Sequence, residues 1–156
     1  MDIKLLREYA KVPEKGSLLA AGYDLYAAME DDTLPDGNKA PGCIEIAPHE
    51  TRMIPTGLAM AIPEGFFGGI FARSGLATKQ GLRPANCVGV IDADYRGEVM
   101  VALHNDTEHY RYIYRGDRIA QLIFLPVYYP IDDFQTVEEL DSTIRGSGGF
   151  GSTGAN

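Results

Sequence analysis

Apolar and polar residues alternate along most of this chain in short bursts, and Gly, Pro, Asn or Asp interrupts the pattern between bursts. On that pattern residues 44–46, 52–54, 58–62, 66–72, 87–91, 98–105, 111–114 and 118–128 read as strands. Short strands with such punctuation predict an all-β sandwich or jelly roll. One short helix is predicted after Ser74, through Gly75, Leu76, Ala77, Thr78 and Lys79. Ser74 would cap it and Gly81 would end it. No long stretch carries the helical apolar period, and no internal repeat is visible.

Two segments break the pattern. Residues 30–42 combine acids with Pro35, Gly37, Asn38, Pro41 and Gly42, which predicts an exposed connection. The last twelve residues, 145–156, hold five glycines and a single aromatic, Phe150. Such a tail buries almost nothing by itself and is expected to be mobile. It reads either as a frayed terminus or as a lid, since one arginine and one aromatic suit a charged, flat ligand. The division expected is a β domain over residues 1–144 and a flexible tail over 145–156.

A chain of 156 residues fits one compact domain, large enough to bury a core without staples. Its net charge of -8 repels a polynucleotide, whose binding requires many neutralised phosphates. A few clustered arginines can still build a local positive pocket for one nucleotide. No apolar run reaches membrane-spanning length. The opening residues lack a basic and apolar leader pattern, so a cytoplasmic location is the expectation. Cys43 and Cys87 make no disulfide framework, and His49, His104 and His109 share no metal-ligand spacing.

Five stretches hold candidate chemistry. In the first, Asp24 sits among aromatics in a strand-like run; it is either an edge carboxylate or the holder of a metal-bound water. The second, Ala72-Arg73-Ser74-Gly75, joins a strand to the helix. Backbone N–H groups, the Arg73 charge, the Ser74 hydroxyl and the open Gly75 would make an anion site there. The bland alternative is a capped helix with a surface arginine. The third runs from Asn86 to Gly97 and predicts a β-hairpin turning at Asp92-Ala93-Asp94-Tyr95-Arg96-Gly97. Its backbone could pair with a base edge, Asn86 adds a donor and an acceptor, and Asp92 could serve as general base. It reads equally as an acidic surface turn. In the fourth, Gln121 lies within an apolar strand and must find partners, either in a polar site or on nearby backbone. The fifth is the tail, which lacks the lysine of a Walker A loop; Arg145 could take a phosphate and Phe150 could stack on a base.

Taken in this order, the five stretches resemble the five motifs of the homotrimeric dUTPase family, from Ala20 to Gly154. The resemblance implies a distorted β jelly roll (β-clip) with one short helix, assembled as a homotrimer with sites at subunit interfaces. It implies hydrolysis of dUTP to dUMP and pyrophosphate. Asn86, Val90 and Met100 would contact uracil, Ile91 would also belong to the substrate site, and Asp92 would activate the attacking water. Tyr95 would pack under the deoxyribose. Arg73, Ser74, Gly75 and Gln121 would contact phosphates, and Arg145, Phe150 and Gly151 would close over the nucleotide. Mg²⁺ would be the cofactor, held mainly by substrate phosphates and met by Asp24 through water. Two departures stand out: Ala72 replaces the usual proline of the second motif, and residues 30–42 exceed the compact members' length. A dCTP deaminase of the same fold, or a non-catalytic jelly-roll regulator, is the alternative; neither requires both Asp92 and a stacking tail. No nucleic-acid or membrane partner is expected.

Overall fold

The computed structural model describes residues 1–128 and 134–149. In chain order its elements are β1 (Ile3–Leu5), β2 (Glu14–Lys15), β3 (Tyr23–Tyr26), β4 (Asp32–Thr33) and β5 (Lys39–Ala40). Then come β6 (Cys43–Ile46), β7 (Thr51–Pro55), β8 (Leu58–Met60), β9 (Phe66–Phe71) and α1 (Ser74–Gln80). The series ends with β10 (Leu82–Pro84), β11 (Gly89–Ile91), β12 (Met100–Asn105), β13 (Arg111–Tyr114) and β14 (Arg118–Pro126). One sheet has the order β11-β9-β14-β3-β2 and a second the order β10-β12-β7. Three further antiparallel pairs join β1 to β8, β6 to β13 and β4 to β5. No helix among the described residues is long and apolar enough to cross a membrane.

The period-two pattern is realised most plainly in β12, where Val101, Leu103 and Asn105 are buried and the residues between them half-buried. Leu25, Ile54, Leu58, Leu103, Ile113 and Leu122 join Val101 in one apolar cluster drawn from both sheets and the smaller pairs. Each such side chain contributes roughly 1.5–3 kcal/mol on full burial. Asn105 is buried yet satisfied. Its amide donates to the carbonyls of Ala47 (3.0 Å) and His109 (2.8 Å), and its oxygen accepts from Thr107 N–H (3.0 Å). That network fixes the end of β12 that the core grips.

Three sequence expectations change. Residues 86–97 do not form a hairpin: β11 pairs with β9, whereas β12 pairs with β7 and β10. The turn after Ile91 therefore carries the chain from one sheet to the other. The helix forms where predicted, but Arg73 holds the N-cap position, extended and without a side-chain cap bond. Ser74 is its first helical residue, so its hydroxyl is not used as a cap. Gly81 ends the helix in the left-handed region at φ 66°, which a glycine adopts without strain.

The connection at residues 30–42 is not wholly irregular, because β4 and β5 make a short ribbon closed by Asp36, whose carboxylate accepts from Asn38 N–H at 2.9 Å. Its root is anchored. Arg115 lies 3.7 Å over the Tyr9 ring and pairs with Asp31, which also accepts from the Tyr9 hydroxyl. Gly42, at the far end, is buried rather than exposed. A Cβ there would collide with the Glu30 carbonyl oxygen and lie 2.6 Å from Met29 Cβ. Gly42→Ala is therefore expected to cost about 2–3 kcal/mol, read as a shifted urea midpoint. An unchanged midpoint would contradict this close approach.

Candidate active site

The switch between sheets creates a slot. Gly89, Val90 and Ile91 lie against Ile70, Gly69 and Gly68 on one side of β11, and β11 is the outermost strand of its sheet. Its other edge is left with backbone donors and acceptors that no strand among the described residues takes. Across the slot, β12 starts at Met100, opposite Pro55 of β7. The cavity between has a volume of about 300 Å³. Six residues singled out from sequence line it together: Asn86, Val90, Ile91, Asp92, Tyr95 and Met100. Asp92 is exposed, and its carbonyl accepts from Tyr95 N–H at 3.2 Å, which sets the turn. Asn86 is also exposed, followed by Cys87 in the left-handed region at φ 61°.

Glu98 lines the same slot and was not foreseen, nor were Met53, Ile70 and Gly89. Its carboxylate accepts from Arg7 Nε (3.2 Å), Arg7 Nη2 (2.8 Å) and Gly57 N–H (2.8 Å). The Arg7 hydrogen bond, followed by the Gly57 N–H and the Arg7 charge, outweighs burial and holds this carboxyl below the ordinary glutamate range.

A second cavity of about 250 Å³ gathers Asp24, Arg73, Ser74, Gly75 and Gln121, all singled out from sequence, with Arg118, which was not. Asp24 and Gln121 are directly paired across β3 and β14, and Gln121 also faces Phe71 at the end of β9. The strand end places Arg73 beside them. Arg73 Nε donates to Asp24 Oδ1 at 2.9 Å and Arg118 Nη1 to Asp24 Oδ2 at 3.2 Å. One carboxylate thus orients two guanidinium groups and leaves a net positive charge. Gln121 donates from Nε2 to the Ala72 carbonyl at 2.9 Å, so it both serves the backbone and lines the cavity. The space over Gly75 is open: a Cβ there would meet nothing within 4 Å. These groups suit an anion with several oxygens.

Arg145 lines neither cavity. It is exposed and donates from Nε to the Gly148 carbonyl at 2.8 Å, within its own segment. Phe150 and Gly151 lie outside the described residues. The slot and the anion cavity share no lining residue on one chain.

A β frame with a backbone-edged slot and a separate arginine cradle has the parts of a nucleotide-handling protein. The family model described as dUTPase matches residues 8–154, nearly the whole length. The chain belongs to the dUTPase family. It is 46% identical over 147 residues to the Deoxyuridine 5'-triphosphate nucleotidohydrolase of Desulfitobacterium hafniense, spanning 94% of this chain and 89% of that one. It is 47% identical to the protein of that name from Candida albicans, over 100% of this chain and 89% of the relative. Among solved structures it is similar to a Staphylococcus bacteriophage 80alpha dUTPase mutant with dUpNHpp. The TM-score is 0.83 and the identity 30%, covering 99% of this chain and 98% of that one. A dUTPase variant from phage phi11 of S. aureus, described with a structural Mg(II) ion, matches with TM-score 0.75 and 27% identity, over 90% and 98% of the two chains. The expected fold class, all-β with one short helix, stands.

Proposed function

We propose that this protein hydrolyses dUTP to dUMP and pyrophosphate, with the slot between β11 and β12 reading uracil and the arginine cradle taking phosphates. The observation that carries this reading is the single cavity lined by Asn86, Val90, Asp92, Tyr95 and Met100. The free edge of β11 offers alternating donors and acceptors to the base, as an added strand would. A 5-methyl group would crowd the slot, and a 4-amino group would bring a donor against a donor. Buried polar groups left unpaired make that discrimination large.

Asp92 takes a proton from water, which attacks the α-phosphorus in line as pyrophosphate leaves. Arg73 supplies fixed positive charge, and the Ser74 hydroxyl, free of any capping bond, donates near the bridging oxygen. Catalysis is then mainly positioning and charge stabilisation. A cofactor Mg²⁺ fits the donor set in one mode only. The described residues contain no cluster of three metal-ligating side chains, and Asp24 is the one carboxylate in the cradle. Mg²⁺ would then be held mainly by substrate phosphates, and Asp24 would meet it through water. When bound, Mg²⁺ neutralises charge on the leaving pyrophosphate.

Slot and cradle are taken to meet in one site that spans copies of the chain, in keeping with the homotrimer the family resemblance implies. The tail, through Arg145, Phe150 and Gly151, would close over the nucleotide and exclude water.

Release of pyrophosphate from dUTP, dCTP, dTTP and UTP, each with Mg²⁺ and with chelator, tests the proposal. Fast release from dUTP alone, abolished by chelator, is the expected outcome. Ammonia from dCTP would instead identify a deaminase, and turnover of dTTP at the dUTP rate would remove the slot from its role.

A further inference from the structure

We propose that Arg7 and Glu98 form a positioning pair for Tyr95, and that this pair sets how strictly the site refuses a ribose; the inference rests on the nucleotide reading of the slot, with Tyr95 under the deoxyribose leaving no room for a 2′-hydroxyl. The Tyr95 hydroxyl donates to the Glu98 carbonyl at 3.0 Å, and the ring lies flush on Gly97, where a Cβ would come within 2.6 Å of Tyr95 Cζ. Tyr95 is nevertheless 44% exposed, so little packing besides this holds the ring. Its orientation follows the peptide of Glu98.

That peptide is fixed from three directions. The next residue is clamped to the bend before β8: Val99 N–H donates to Leu58 O at 2.7 Å, and the buried Thr56 hydroxyl donates to Val99 O at 2.6 Å. The Glu98 side chain accepts Gly57 N–H from the same bend. Arg7 then ties this carboxylate to the N-terminal segment through two N–H donors in fork geometry. Leu6 N–H donates to Gly57 O at 2.7 Å, so the segment bearing Arg7 is itself seated on the bend. The pair also settles a charge problem. Glu98 shares the slot with Asp92, and without Arg7 a half-buried carboxylate would stand uncompensated in the same slot.

A merely structural pair would lower activity on every substrate alike. A positioning pair for Tyr95 changes the ratio between substrates. The test compares kcat and KM for dUTP and UTP in the wild type, Arg7→Ala, Glu98→Gln and the double variant, all full length and checked by thermal melting. Calorimetric binding of dUMP and UMP reads the same preference without turnover, which separates this inference from the hydrolysis itself. Arg7→Ala is expected to narrow the dUTP-to-UTP preference about tenfold, mainly through KM. Glu98→Gln keeps an acceptor for Gly57 and narrows it less. The double variant is expected to recover part of the Arg7→Ala loss, because it removes the orphaned charge. An unchanged sugar preference in folded Arg7→Ala, or equal losses on both sugars, would overturn the proposal. If Arg7→Ala fails to fold, Glu98→Gln decides it by the same ratios.

Discussion

Asp92→Asn is expected to lower kcat for dUTP about a thousandfold, within the range that a positioned general base contributes. Binding of dUTP should stay within about threefold of wild type, since the loss falls on an interaction made in the transition state. The structural ground is that Asp92 is exposed in the slot, next to Ile91 at the end of β11, and its backbone carbonyl fixes the Tyr95 turn. The amide keeps the shape and can still orient a water, but it cannot accept a proton. Single-turnover kinetics alongside calorimetry would separate the two effects. Wild-type turnover in this variant would take the general base away from Asp92.

Deleting residues 145–156 is expected to lower kcat/KM for dUTP about a hundredfold, the scale of losing one well-placed charged donor. Sedimentation should find the assembly unchanged, because among the described residues the core cluster and the side chains packed against it reach no further than Phe124. Among the described residues Arg145 bonds within its own segment, to Gly148, and lines neither cavity. Its contribution therefore depends on a rearrangement that brings the guanidinium to a phosphate. A truncated protein with full activity would leave the tail as a simple terminus.

How far the sequence discloses this molecule depends on the length scale of each interaction. The strands at β12 and β13 are legible because their own alternation buries one face, and β14 because a long apolar run follows a Gly-Asp turn. Short polar strands are not: Glu14 and Lys15 of β2 expose both side chains and exist only because β3 is there to pair with. Strand partners were the larger difficulty. The turn at residues 92–97 has every local mark of a hairpin, yet β11 joins β9 and β12 joins β7 through contacts that no local pattern encodes. The slot exists because of that divergence, so the site's residues could be named while its architecture could not. Glu98 carries no local signal for the same reason: its partner, Arg7, lies 91 residues away. Arg118 was visible as a charge beside a Gly-Asp turn, but only the β3–β14 pairing brings it to Asp24.

The most direct check on the chemistry is turnover of dUTP in water enriched in oxygen-18, with mass analysis of both products. Attack at the α-phosphorus predicts one heavy oxygen in dUMP and none in pyrophosphate. Label in pyrophosphate instead would place the attack on the β-phosphorus and contradict the role given to Asp92 beside the nucleoside slot.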